Sequence, residues 1–208
     1  MAHKEQQFYI NGVKQFLPHY FHNIKILEIG SLNINGTVRD FYSDCNYLGI
    51  DVGAGKGVDE ICFGEDYGGP ANHFDAVISI EAMEHNPGWK KTWINMIRVL
   101  KKNGLMLMTC ATSGRKQHGT IDFQPVDSPL TTNLGQNYYK NLNAQDFLNI
   151  TNLDTWFSVW GFFVDGSSYD LYFFGLGLDA DQTSIENAKN LKNALTDYYH
   201  RVNILGIY

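Results

Sequence analysis

The chain has 208 residues, 44% of them hydrophobic and 18% charged, with a formal net charge of -6. A chain of that size buries enough apolar surface to fold as one domain, and its negative balance argues against a phosphate backbone as ligand, since that affinity comes from Lys and Arg displacing counterions. There is no low-complexity tract, no fixed-period repeat and no apolar run of the roughly 20 residues a membrane span needs, which argues against disorder, a solenoid and a transmembrane helix.

In chain order, residues 1–23 form an N-terminal helical segment. Met1 to Gln7 is polar, without the apolar centre of a signal peptide, and a helix is expected from Glu5 to Leu17, ended by Pro18. The core, 24–112, opens with a strand from Ile24 to Ile29 closed by Gly30, then a short helix starting near Asn35 and running to Tyr42. Tyr47 to Ile50 is a second strand ending in Asp51. After a turn with Gly53, Gly55 and Gly57 comes a third from Val58 to Cys62. Phe74 to Ile80, nearly all apolar, suits a strand covered on both faces. A helix follows from Trp89 to Leu100, stopped by Asn103-Gly104 before a fifth strand, Leu105 to Cys110. Lys90, Lys91, Arg98, Lys101 and Lys102 are the densest basic cluster, with the spacing of a solvated helix face.

The segment 113–143 is polar and turn-rich, and at roughly 30 residues it is too long for a plain connection, so a substrate loop is expected there. Residues 144–178 carry a helix capped by Asn143 (Ala144 to Ile150) and two paired strands, Trp156 to Val164 and Tyr169 to Leu176. The tail, 179–208, carries a helix from Thr183 to His200, capped near Thr183 or Ser184. Its face of Ile185, Ala188, Leu191, Leu195 and Tyr199 should pack on the domain or on a second copy in a homo-oligomer. Alternating strands and helices imply a doubly wound, mostly parallel seven-stranded α/β sheet, with a C-terminal antiparallel hairpin and helices on both faces.

The chemistry-bearing residues gather at strand ends. Glu28, Gly30 and Ser31 put an acid and small residues where open α/β sheets bind ligands. The run Gly30-Ser31-Leu32-Asn33-Ile34-Asn35-Gly36 is not GxGxxG, which disfavours a dinucleotide. Asp51, followed by Val52, ends the second strand about twenty residues beyond Gly30, where a carboxylate accepts both hydroxyls of a ribose; capping of the glycine turn is the alternative. Cys45, Cys62 and Cys110 include no CxxC pair, so neither a disulfide framework nor a metal site is expected, and a cytoplasmic location fits.

Leu27-Glu28-Ile29-Gly30-Ser31, Gly49-Ile50-Asp51, Gly57-Val58-Asp59, Phe74-Asp75-Ala76-Val77, Glu84-His85 and Arg98 through Gly104 follow the order of motifs in class I S-adenosylmethionine-dependent methyltransferases, which the chain resembles over Ile24 to Cys110 as a type 11-like domain. The resemblance implies S-adenosyl-L-methionine as cofactor, with Glu28, Gly30 and Ser31 at its methionine end and Asp51 and Val52 at its ribose. Asn35 and Gly36 would shape the loop's exit, and Ser79 and Glu81 would face the sulfonium. Where the family often has an acid for adenine this chain has Phe63, which would stack on the ring, unless Glu65 or Asp66 reaches in.

His85 is the candidate catalytic base; in the resembling families Glu-His also serves as scaffold at the start of a helix. His118, Tyr138 and Tyr139 are the candidate acceptor contacts, in a loop expected to close over the acceptor side alone. The expected activity is methyl transfer to a small-molecule or carbohydrate-like acceptor at oxygen or nitrogen, with no nucleic-acid partner. The alternatives are a non-catalytic methyltransferase-like binding module that uses an exposed C-terminal helix, and a nicotinamide-dependent oxidoreductase.

Overall fold

A computed structural model describes residues 3–206. Met1 and Ala2 of the N-terminal segment and Ile207 and Tyr208 of the C-terminal one lie outside the described residues. Seven strands form one sheet: β1 (Lys25–Ile29), β2 (Asn46–Asp51), β3 (Glu60–Ile61), β4 (Phe74–Ile80), β5 (Leu100–Ala111), β6 (Phe157–Asp165) and β7 (Asp170–Gly177), in the order β3-β2-β1-β4-β5-β7-β6. The first five are parallel and the β6-β7 hairpin is antiparallel, as expected.

Alternation along the strands sends side chains to two cores. On one face, α1 (Lys4–Phe16) and α5 (Gln182–Leu205) bury Tyr9, Ile10, Val13, Leu191 and Leu195 against Ile26, Ile78, Leu107 and Tyr172. On the other, α2 (Trp89–Val99) and α4 (Ala144–Leu148) bury Trp93, Met96 and Phe147 against Leu27, Val77, Met106 and Phe173. The apolar stripe of α5 is therefore used by its own domain, with Ala188, Leu191, Leu195, Tyr199 and Val202 buried. Among the described residues no helix is long and apolar enough to cross a membrane.

Four local expectations are corrected. The helix near Asn35 reduces to one 3-10 turn, Arg39–Phe41, because Gly36 sits at φ +154°, the β-branched Thr37 and Val38 follow, and the Arg39 side chain is drawn to Asp59 and the Tyr47 carbonyl. The third strand keeps only Glu60 and Ile61 in register; Val58 closes the preceding turn on Gly55. Asn103-Gly104 does not stop α2, which ends at Val99. Leu100 already pairs with Phe74, and Lys101 to Gly104 bulge out before Leu105 pairs with Ala76. Helix α5 starts one residue earlier than expected, on an Asp181 cap that accepts from the Ser184 amide at 3.0 Å, and runs to Leu205.

Candidate functional site

The parallel strands deliver their carboxyl ends to one edge. There the chain leaves β1 through Gly30 at φ +80°, and the amides of Gly30 and Ser31 both donate to the Ile50 carbonyl (2.9 and 3.1 Å). A Cβ on Gly30 would stand 2.3 Å from the Cβ of Ala82, so only glycine lets the ends of β1 and β4 close up. Beside this junction opens a cleft of about 720 Å³ of empty space, partly open to solvent, within the range of small-molecule sites.

Asp51 faces this cleft with its carboxylate held on both sides. Its Oδ2 accepts from the Leu32 amide at 2.9 Å and its Oδ1 from the Val52 amide at 2.8 Å. Each oxygen keeps a second lone pair, so the group is fixed yet able to accept further hydrogen bonds. Burial raises its pKa, and the two amides work against that rise.

At the end of β4, Glu81 adopts φ +51°, an uncommon conformation for a residue with a side chain; its amide donates to the Thr109 carbonyl and its Oε1 accepts from the Thr109 hydroxyl at 2.8 Å. Burial and the neighbouring Glu84 push its carboxyl up to about 8. Glu84 itself is fully buried, with neither oxygen in hydrogen-bonding geometry with a partner, and burial pushes it up to about 7. His85 is pushed down to about 3 by burial and by His118, so its imidazole is neutral at ordinary pH. The His85 ring lies 5.0 Å from that of His118 and 5.6 Å from that of Tyr139.

Glu81, His85 and Asp127 line the cleft and also a second, polar chamber completed by His3, Arg115, Lys116, His118 and Gln124. The segment after β5 builds both. Gly119, at φ +59°, brings its backbone against His85, where a Cβ would stand 2.6 Å from Cε1. Farther on, α3 (Pro129–Asn133) lies over the cleft, with Leu130 Cδ2 3.0 Å from the place of a Cβ on Gly53. The loop therefore covers the Asp51 end as well as the chamber, a wider reach than closure over an acceptor alone.

Of the residues singled out in the sequence, Gly30, Asp51, Val52, Phe63, Ser79, Glu81 and His85 line the cleft and His118 lines the chamber. Glu28 and Ser31 are buried outside the lining, Glu28 accepting from the Tyr47 hydroxyl at 2.7 Å. Asn35 and Gly36 sit at the outer end of the β1 loop, where Gly36 donates to Asn33. Glu65 is committed to Asn86 and Thr92 rather than to the cleft, and Asp66 is exposed. Tyr139 supports the two histidines and donates to Asn141, while Tyr138 packs on the α2 core.

Leu32, Ile34, Met83, Leu130 and Thr131 of the cleft, and His3 of the chamber, carry no assignment from the sequence. Leu32 and Ile34 had a signal as apolar residues in a polar turn, and so had Leu130 and Thr131, since Ser128-Pro129 starts helices with Pro at the first position. His3 had none.

The description "Methyltransferase domain" belongs to the family profile that matches residues 62–108. No curated protein matches the chain. Among solved structures, a SeMet-substituted CurJ carbon methyltransferase is similar at 16% identity and TM-score 0.51, covering 77% of this chain and 50% of that one. Haemonchus contortus phosphoethanolamine N-methyltransferase 2, solved with S-adenosyl-L-methionine, is similar at 15% identity and TM-score 0.56, covering 84% and 52%. Burkholderia thailandensis 1,6-didemethyltoxoflavin-N1-methyltransferase, solved with 1,6-didemethyltoxoflavin and S-adenosylhomocysteine, is similar at 10% identity and TM-score 0.55, covering 81% and 77%. The chain spans about half the length of the first two of these.

Proposed function

We propose that this chain, which has the class I methyltransferase fold, binds S-adenosyl-L-methionine in the cleft and methylates a small or carbohydrate-like acceptor, at oxygen or nitrogen, held in the polar chamber. The observation that carries the reading is the junction of the two spaces through Glu81 and His85. The residues present fit the cofactor: the backbone at Gly30 leaves room that a Cβ would take, and Asp51 offers fixed, unshared lone pairs suited to a ribose. Bound S-adenosylmethionine supplies an electrophilic methyl group on a cationic sulfur.

In this reading Phe63 offers its ring to adenine, Ser79 and Glu81 face the cation, and Glu28 supports the strand end through Tyr47. The depressed basicity of His85 makes it a weak proton acceptor, which favours a positioning role, with His118 and Tyr139 beside it. Alignment of acceptor and methyl group then contributes most of the rate. The mixed charges of Arg115, Lys116 and Asp127 suit a polar acceptor. The non-catalytic alternative loses its expected surface, because the apolar face of α5 is buried. A cytoplasmic location fits the free thiols of Cys45, Cys62 and Cys110.

Calorimetric titration with S-adenosylmethionine and S-adenosylhomocysteine, followed by an acceptor screen with labelled methyl donor, tests this. Saturable binding of both is expected, and absence of binding up to about 1 mM, equivalent to only about 4 kcal/mol, would overturn it.

A further inference from the structure

Three side chains around the junction share one property, and one of them, Glu84, has no assignment in the methyl-transfer reading. One ring nitrogen each from His85 and His118 and one carboxylate oxygen of Glu84 lie within 4.8 Å of one another. Glu84 and His85 are also among the buried polar groups here that the fold serves poorly. Glu84 is 0% exposed and neither oxygen has a partner in full hydrogen-bonding geometry, the backbone amides of Glu84 and Ala111 reaching it only weakly, and Nδ1 of the 5%-exposed His85 is buried without a partner. A buried carboxylate served so weakly is costly unless something compensates it, and a protein seldom keeps one without use.

We propose that Glu84, His85 and His118 bind a divalent first-row metal ion such as Zn²⁺, Co²⁺ or Mn²⁺ in the wall of the polar chamber. Two imidazoles and one carboxylate form a donor set that such ions prefer over Mg²⁺ and Ca²⁺, which favour oxygen alone. The outer contacts fit as well. Nδ1 of His118 meets the Lys116 carbonyl at 3.0 Å, and a proton donated there leaves Nε2 with the lone pair a metal requires. Tyr139 packs on both imidazoles, and Gly119 lets the loop carry His118 up to His85. Glu84 and His85 are adjacent in the 3-10 turn Met83–His85 that follows β4, whereas His118 arrives from the loop after β5, so the ion would join the lid to that turn.

Three protein ligands would leave a coordination position open, and two of them, His85 and His118, line the chamber that also holds Glu81 and Asp127. An acceptor hydroxyl bound there would be lowered in pKa, the help that a weakly basic His85 does not give. That use of the ion rests on the methyl-transfer reading; the metal site itself does not.

The test titrates the full chain with Co²⁺ followed by visible absorption and with Zn²⁺ by calorimetry, beside Mg²⁺. One equivalent of Co²⁺ and of Zn²⁺ should bind, with Mg²⁺ much weaker. His118→Ala, a change in a loop, should weaken both at least by the 10- to 100-fold that loss of a mere outer contact costs. Glu84→Gln should do the same, and His22→Ala, an exposed histidine elsewhere, should change nothing. Absence of saturable Co²⁺ and Zn²⁺ binding, unchanged affinity in His118→Ala, or loss of binding in His22→Ala would overturn the site. If Glu84→Gln fails to fold, His118→Ala alone decides. Metal binding by a chain that does not bind S-adenosylmethionine would overturn the proposed function and leave this site standing; the converse would do the reverse.

Discussion

The Leu32 amide donates to Oδ2 of Asp51 at 2.9 Å, so the loop after β1 is tied to the end of β2 by a carboxylate that also faces the cleft. Asp51 thus has two duties, and its substitution should register in both. Asp51→Ala is expected to weaken S-adenosylmethionine binding by about 1.5 to 3 kcal/mol and to lower stability by about 1 to 3 kcal/mol through the orphaned Leu32 and Val52 amides. Asp51→Asn keeps one acceptor and should fall between. Calorimetry and thermal unfolding on the same preparations separate the effects; unchanged affinity in folded Asp51→Ala would remove the ribose assignment.

Gly30→Ala meets two obstacles, the φ of +80° and a Cβ 2.3 Å from that of Ala82. The backbone strain should cost about 1 to 3 kcal/mol and the overpacking a similar amount. Adding Ala82→Gly removes the second and not the first, so the double variant should recover part of the loss. Urea unfolding measures this, and additivity of the two single substitutions would show that the contact is relieved elsewhere.

Gly30 and Asp51 were legible in the sequence because a strand is an apolar run with a definite end, and strand ends are where an α/β sheet binds ligands. The sheet and its hairpin were legible for the same reason. What was not legible depended on contacts distant in sequence. Nothing around Arg39 announces that Asp59 will draw its side chain away and shorten the expected helix, and nothing around His118 announces His85 as its neighbour. Glu28 shows a subtler limit: it sits at the expected strand end, but strand alternation turns its side chain to the face of Tyr47, away from the cleft.

Buried Glu28 gives a pH dependence of known sign. Burial pushes its carboxyl up to about 7, partly offset by the Tyr47 hydroxyl; Arg39 also favours its charged form and Asp51 opposes it. In the unfolded chain a glutamate titrates near 4.3, so between about 4.3 and 7 the native state holds a proton that the unfolded state has released. Stability from this group is therefore complete below that window and is lost as pH rises through it, by up to about 1.4 kcal/mol per pH unit. Glu28→Gln cannot titrate. Its stability relative to the wild type should rise from about pH 4.5 to 7 and level off above; a difference that is flat or falls across that range would show the carboxyl to be charged in the fold.

The segment after β5 supplies residues to both the cleft and the chamber and so acts as their lid. The expectation from sequence was that this loop serves the acceptor, so that its loss would spare cofactor binding. The structure changes that expectation, because Asp127, Ser128, Pro129, Leu130, Thr131 and Gln136 line the same cleft as Asp51 and Phe63, and Leu130 rests on the turn at Gly53. Replacing residues 124–136 with a short Gly-Ser linker should therefore weaken S-adenosylmethionine binding as well as abolish methyl transfer. Leu130→Ala is the gentler form. At roughly 25 cal/mol per Å² of apolar surface returned to water, loss of most of one leucine side chain at the cleft wall should cost about 1 to 2 kcal/mol of cofactor affinity. Thr132→Ala, on the same short helix but outside the cleft lining, should cost little. Both variants should unfold near the wild-type temperature, since α3 buries none of its residues fully and contributes little to either core. Wild-type affinity in the loop-replaced protein would show that the lid closes only on the acceptor, and that the strand ends hold the cofactor alone.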